Sequence, residues 1–337
     1  RHCLNHNLLP LPSESHLRKL AKGMKCRYGI NPHAVDAISN YFHNMDENSR
    51  NGILIFDEVR LREEVQFNTN SLKVDGFVDL GESTPESSHN QLANHALVFM
   101  YVPLLFNWVQ PVAVFANHNA ASGNIISRIL LQIIIQLEQV RVHIVAFTSD
   151  SSQSNKRLWK NLGISGKAQK VVCFIPNPID KTRKIWAFSD AVHVIKCIRN
   201  NFHDKSEVIY NNKLINFNFF RRLYDADTSP EFAGMRVCNK VTSSHIDPST
   251  FQRMNVKLAF QLFSASVADG LKFYREMNYD GFEDSEETEN FTRDMNVLID
   301  ILNSCTPATA LHLGRSGYDI LKKWTLCSMN NTIHLPP

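Results

Sequence analysis

Ile53-Leu54-Ile55-Phe56-Asp57-Glu58-Val59-Arg60-Leu61-Arg62 is the stretch on which the fold turns. Four unbroken apolar residues closed by an acid suit a central strand with both faces covered. An acid at the end of such a strand stands where α/β folds place their chemistry. The pattern returns at Val142 to Thr148, another apolar strand, with Asp150 just past its end.

Working outward, Val65-Gln66-Phe67 and Val74 to Leu80 read as two more strands, forming an antiparallel meander with the first. Ala96 to Leu105 and Val112 to Phe115 are strand-like. Ser122 to Glu138 reads as an apolar helix. Its core, Ile125 to Leu137, is broken by Ser127, Arg128, Gln132 and Gln136. It is too short and too polar for a bilayer, which takes about 20 residues, so no membrane partner is expected. Ser154 to Leu162 is predicted helical and stops at Gly163. A strand at Ile185 to Phe188 and a helix from Asp190 to Asn201 follow.

Beyond residue 200 helix dominates, with candidates at Phe217 to Tyr224, Pro248 to Tyr274 and Glu289 to Asn303. The order predicts an α/β fold, a mixed sheet flanked by helices, followed by a mostly helical domain. Boundaries are placed at 1–45 for a basic, helical lead-in, 46–200 for the α/β domain and 201–337 for the helical domain.

If the two acid-ended strands are neighbours, Asp57 and Asp150 lie close together and repel unless a divalent cation sits between them. Magnesium favours such oxygen sites, taking few carboxylates and keeping waters. Two ions about 3.5–4 Å apart can clamp the attacking and leaving oxygens of a phosphodiester. The plainer reading makes both acids strand-end turn residues, and spacing alone does not make the strands neighbours. Glu58, Glu63 and Glu64 are expected to face solvent or pair with Arg60 and Arg62. Asp190, His193 and Lys196 fall near one helix face, where the lysine can reach a phosphate. The alternative there is an amphipathic helix with a polar outer face.

Other classes find no support. The seven cysteines form no CxxC pair, which argues against a zinc site or a disulfide framework. No GxxxxGK[ST], GxSxG or HExxH occurs. The net charge of +3 is too small to settle nucleic-acid contact.

Several blocks then resemble one family in the right order. Leu9-Pro10-Leu11-Pro12-Ser13 with Leu17-Arg18 resembles the lead-in of P-element-type DNA transposases, including the vertebrate relatives that carry a THAP zinc domain. The 53–62 stretch resembles their first catalytic strand. Asp75-Gly76-Phe77-Val78-Asp79-Leu80-Gly81, His95 to Met100 and Gln110-Pro111 follow in order. Thr148-Ser149-Asp150 with Asn155 and Leu162-Gly163-Ile164 resembles the second acid region. Phe188-Ser189-Asp190 through His193, Lys196 and Arg199-Asn200-Asn201 resembles the family's "FFDpPHLlKniRNN", with Val192 where proline is usual. Val241-Thr242, His245-Ile246 and Met254 to Ala259 continue the match.

The resemblance implies an RNase H-like domain for DNA cleavage and strand transfer, with Asp57 and Asp150 as catalytic and metal-binding acids for Mg2+ or Mn2+. It implies a GTP-binding insertion, with Lys196 and Asp190 near the nucleotide. Transposon-end DNA, a homo-oligomer and a nuclear location are the implied partners and setting. One departure matters: the family's third acid lies in a "QDxLE" motif absent from these residues. The expectation is therefore a truncated or decayed core that is inactive by itself. The alternative is a domesticated, non-enzymatic remnant that binds DNA or GTP.

Overall fold

The computed structural model describes residues 28–304 except 69–72, 89, 168–169 and 230–235, together with 13, 15, 16 and 19. The basic lead-in helix therefore lies almost wholly outside the described residues. The chain divides into two compact units, Arg1–Gly163 with Phe174–Phe188, and Ile164–Cys173 with Ser189–Pro337.

The first unit is built on strands β1 (Gly29–Ile30), β2 (Asn51–Arg60), β3 (Gln66–Asn68), β4 (Lys73–Asp75), β5 (His95–Pro103), β6 (Gln110–Asn117) and β7 (His143–Ser149). A short hairpin, β8 (Ser165–Lys167) with β9 (Lys170–Val172), belongs to the second unit. Strands β10 (Phe174–Pro176) and β11 (Lys184–Ser189) then complete a seven-stranded sheet of order β1-β6-β5-β2-β7-β11-β10. Strand β2 is central, antiparallel to β5 and parallel to β7. Leu54 and Phe56 are buried while Ile53 and Ile55 are half-covered. The continuous apolar run thus serves a strand with both faces covered, as the pattern required.

The helices of this unit are α1 (Pro32–Phe42), α2 (Gly123–Gln139) and α3 (Gln153–Asn161). Asn31 caps α1, accepting from the backbone N–H of His33 and Ala34, with Pro32 at the first helical position. Helix α2 buries Ile126, Ile129, Leu130, Ile133, Ile134 and Leu137, a stripe at helical spacing. It supplies the crossover that makes β7 parallel to β2. Gly123 opens α2 against α3: a Cβ there would lie 2.5 Å from the Ser154 carbonyl oxygen and 2.6 Å from the Arg157 Cβ.

The expected meander does not form. Strands β3 and β4 pair only with each other. Gly76 ends β4 at φ +119°, and a Cβ at that position would lie 2.2 Å from the Glu64 carbonyl oxygen. Beyond it the chain keeps only isolated bridges, Phe77 to Leu92 and Asp79 to Ala116. Strand β2 takes β5 as its antiparallel partner instead.

The second unit holds α4 (Ala191–Lys205), the hairpin β12 (Glu207–Tyr210) with β13 (Lys213–Asn216), and α5 (Asn218–Thr228). Then come α6 (Ser243–Ile246), α7 (Thr250–Arg253), α8 (Val256–Leu262), α9 (Ala265–Glu276) and α10 (Glu286–Leu302). The single helix expected over Pro248 to Tyr274 is three, because Asn255 and Ser264 start new helices. Phe202, Phe217, Phe220, Phe263, Leu271 and Phe291 belong to one apolar core. Asp227, 2% exposed, is fully engaged within the unit. It accepts from the N–H of Val237 (3.0 Å) and Cys238 (2.7 Å) and from the Tyr274 hydroxyl (2.6 Å). No helix among the described residues is long and apolar enough to cross a membrane.

Candidate active site

The parallel register places the two acids. The pairing of β2 with β7 runs through Leu54 opposite Phe147 and Ile55 opposite Thr148. Asp57 and Asp150 each lie two residues beyond that last rung. Both line a single cavity of about 200 Å³ at this end of the sheet. The adjacency that spacing left open is present.

Each carboxylate is positioned locally. Asp57 is exposed, and its Oδ1 accepts from the Glu58 N–H at 2.8 Å. Asp150 Oδ1 accepts from the Ser152 N–H at 3.0 Å and from Asn155 Nδ2 at 2.7 Å. Ser152 caps α3, so the turn that fixes Asp150 also starts the helix. Gly123 lets α2 press on α3 at that point.

Glu58 is a correction. It does not face solvent with Arg60 or Arg62, as expected of it. It is half-buried in the same cavity, and its carboxylate accepts from the Ala121 N–H at 2.7 Å. Burial pushes its carboxyl above the ordinary range, and the charges of Asp150 and Asp57 push the same way. The Ala121 hydrogen bond and His95 oppose them. Glu63 and Glu64 are exposed, as expected, and Glu63 accepts from Asn94 Nδ2 at 2.9 Å. Asp79 is exposed, accepts from the Gly81 N–H at 3.0 Å and does not line the cavity.

His95 also lines the cavity, and its tautomer follows from its neighbours. The Asn94 amide is oriented by two contacts: Nδ2 donates to Glu63, and Oδ1 accepts from the Asn119 N–H at 2.7 Å. His95 Nδ1 lies 2.7 Å from that same Oδ1, so Nδ1 must carry the proton. Nε2 of the neutral ring is left as an acceptor.

These residues suit a hard, hydrated cation. The donors are carboxylate oxygens, and magnesium binds through one or two of them plus waters. Asn155 is 7% exposed, lines the cavity, and its Oδ1 accepts no hydrogen bond among the described residues. That oxygen is available to a cation-bound water. No cluster of three metal-ligating side chains is preassembled among the described residues.

The nucleotide candidates lie in the second unit. Asp190 caps α4, accepting from the Val192 N–H at 3.0 Å, and its other oxygen bonds His193 Nδ1. An aspartate in that place already answers the positive end of the helix dipole and disfavours a phosphate there. Lys196 is half-buried and makes no ion pair among the described residues. A cavity of about 60 Å³ in this unit is lined by Ile198, Phe202, Tyr210 and Met295, among others. It is apolar, smaller than a nucleotide, and includes neither Asp190 nor Lys196.

A mixed sheet delivering two aspartates from adjacent parallel strands into one cavity defines the RNase H-like class of fold. Residues 26–163 match the family model described as "TNP-like, RNase H N-terminal domain". Residues 192–312 match "TNP-like, GTP-binding insertion domain". The chain is 25% identical over 302 residues to the DNA transposase THAP9 of Homo sapiens. It is 28% identical over 295 residues to the Transposable element P transposase of Drosophila melanogaster. Each alignment takes in 88% of this chain, against 32% and 35% of those proteins, so the chain spans about a third of the relatives' length. The Drosophila P element transposase strand transfer complex contains a chain of the same fold, with a TM-score of 0.78 at 22% identity. That match covers 100% of this chain and 71% of that one. The chain belongs to the P-element-type transposases.

Proposed function

We propose that this chain carries the two-aspartate half of a metal-dependent DNA phosphoryl-transfer site, with a GTP-binding insertion behind it in sequence. The observation that carries the reading is the common rung beyond which Asp57 and Asp150 enter one cavity. Mg2+ or Mn2+ would be held by those two acids, and the bound ion supplies Lewis-acid stabilisation of an in-line displacement at phosphorus. Asp150 is held in place by Asn155 and the Ser152 N–H, and Asp57 by the Glu58 N–H. The substrate in this reading is transposon-end DNA, handled in the nucleus by a homo-oligomer.

The insertion is assigned to GTP, as its family model is described. Lys196 is the side chain that would meet a phosphate, and Asp190 with His193 sets the start of the helix that presents it. The division into a lead-in, a catalytic domain and an insertion belongs to this reading too.

Calorimetric titration of Mn2+ tests the metal assignment. Asp57→Ala and Asp150→Ala should each weaken binding strongly, and an unchanged titration in Asp57→Ala would overturn it. Competition between GTP and ATP tests the insertion: GTP should win, and equal, negligible affinity for both defeats that part. A second reading, binding without cleavage, is favoured by the lack of a preassembled third ligand among the described residues. DNA or GTP binding with no Mn2+-dependent nicking of DNA would select it.

A further inference from the structure

We propose that His95 is the proton acceptor of the carboxylate cavity: its Nε2 takes a hydrogen bond from the water that attacks phosphorus, and then that water's proton. This inference rests on the reading of the cavity as a phosphoryl-transfer site and adds the group that receives the nucleophile's proton.

The chain itself sets the ring for that task. Nδ1 donates to Asn94 Oδ1 at 2.7 Å, and the Asn94 amide is held by Glu63 and by the Asn119 N–H. The lone pair of the neutral ring is therefore fixed on Nε2. Nε2 makes no hydrogen bond among the described residues. Unlike Asn155 Oδ1, which also lacks a partner, it is not sealed from solvent, so water reaches it. Two histidines of the second unit show the contrast. His245 bonds Thr242 through Nδ1 and Gln261 through Nε2, and His203 bonds Asp204 and the Ile246 carbonyl. Both rings have their nitrogens committed to the fold, whereas His95 lines the acid cavity with one nitrogen free.

The other bases in the cavity are worse placed. Asp57 and Asp150 face the cation in this reading, and a neighbouring positive charge lowers a carboxylate's affinity for a proton. Glu58 has an oxygen committed to the Ala121 N–H. Its charge interacts favourably with a protonated His95, so it stabilises the imidazolium once formed.

The step balances without a further reagent. The oxygen–phosphorus bond forms as an O–H bond of the water breaks, and the proton passes to Nε2. The P–O bond to the departing oxygen breaks with its electron pair going to that oxygen, which takes a proton from solvent. Nε2 then returns its proton to solvent. Imidazole suits this work because it gains and loses a proton near neutral pH.

The test is long-range 1H–15N correlation of the His95 ring in the full chain at neutral pH, with calorimetric titration of Mg2+ into the same samples. Mg2+ keeps several of its waters, so its binding should move the Nε2 resonance upfield, the direction of an accepted hydrogen bond, while Nδ1 keeps its proton. Adding inorganic phosphate, the product group, should then place a proton on Nε2, because a neighbouring anion favours the imidazolium. Asp57→Asn should abolish both changes. Asn94→Leu should abolish the first while Mg2+ still binds, since the freed ring takes the Nε2–H form. Circular dichroism shows that each variant is folded. Asp57-dependent Mg2+ binding that leaves Nε2 unmoved, or a ring that stays neutral with phosphate, overturns the proposal alone. No Mg2+ binding by wild type overturns both the proposal and the reading beneath it.

Discussion

Asp57 and Asp150, 93 positions apart in sequence, lie two residues beyond one rung of a parallel strand pair, Ile55 opposite Thr148. Parallel pairing keeps the side-chain alternation of both strands in phase, so equal offsets bring the two carboxylates to the same place. Two like charges there cost free energy unless something neutralises them.

That cost makes metal binding visible in stability. At a free Mg2+ or Mn2+ concentration of 100 times Kd, the native state should gain about 2.7 kcal/mol. Urea unfolding with and without the ion measures it. Asp57→Asn and Asp150→Asn should abolish most of the gain, and a gain that survives in both places the ion elsewhere.

Glu58 gives a pH signature. Its folded-state carboxyl is raised, chiefly by burial, so folding takes up its proton relative to the unfolded chain. Stability from this group is full below the unfolded value and is lost as pH rises through the folded value. Glu58→Gln keeps an acceptor for the Ala121 N–H and removes the charge. The metal-free variant should unfold at a higher temperature than wild type near neutral pH, with the difference vanishing in acid. A difference growing toward low pH would contradict this.

The His95 ring should carry its proton on Nδ1 when neutral. Long-range 1H–15N correlation of the imidazole reads the tautomer directly. Asn94→Leu removes the acceptor and should shift the population toward Nε2–H. Finding Nε2–H already dominant in wild type would mean that the Asn94 amide is turned the other way.

Gly123→Ala tests the seat of Asp150. The added methyl meets the backbone of α3, which cannot rotate away as a side chain can. A loss of about 1–3 kcal/mol is expected, the cost of overpacking. Mn2+ affinity should fall with it, because the same turn holds Asp150. Full stability with full affinity would show that the two helices separate without consequence.

In the second unit, Asp227→Ala leaves the N–H groups of Val237 and Cys238 and the Tyr274 hydroxyl without their acceptor. Each buried, unpaired donor costs about 1–3 kcal/mol. Chemical denaturation should show a loss of several kcal/mol, and Asp227→Asn, which retains one acceptor, a smaller one.

Most strands and helices of the first unit were legible because their burial is nearly complete. Ile53 to Phe56 and Val142 to Thr148 alternate buried with half-covered residues and none is exposed, and α2 carries a wide apolar stripe. The meander failed because strand propensity at 65–67 and 74–80 says nothing about partners. A glycine at positive φ ended β4, and pairing went to β5, which lies farther along the chain. The stretch from Pro248 to Tyr274 reads as one helix by composition, yet Asn255 and Ser264 each start a new one.

Glu58 and His95 were hidden for a different reason. Alternation along a strand sets Glu58 on the face opposite Asp57, and a neighbouring arginine offers an easy partner on paper. What turned Glu58 inward was the Ala121 N–H, 63 positions away. His95 is one of fourteen histidines and acquires its place only through the rung it shares with Arg60.

By itself, then, the sequence determined the apolar strands, the acids that end them, the helix α2 that returns the chain and the helical second half, since local burial pattern and spacing encode these. Only the tertiary structure decided that Asp57 and Asp150 lie two residues beyond one rung and that Glu58 and His95 join them around one cavity. Those depend on contacts between segments far apart in the chain, and the physics of such contacts is written in register and packing, which no single stretch of residues carries.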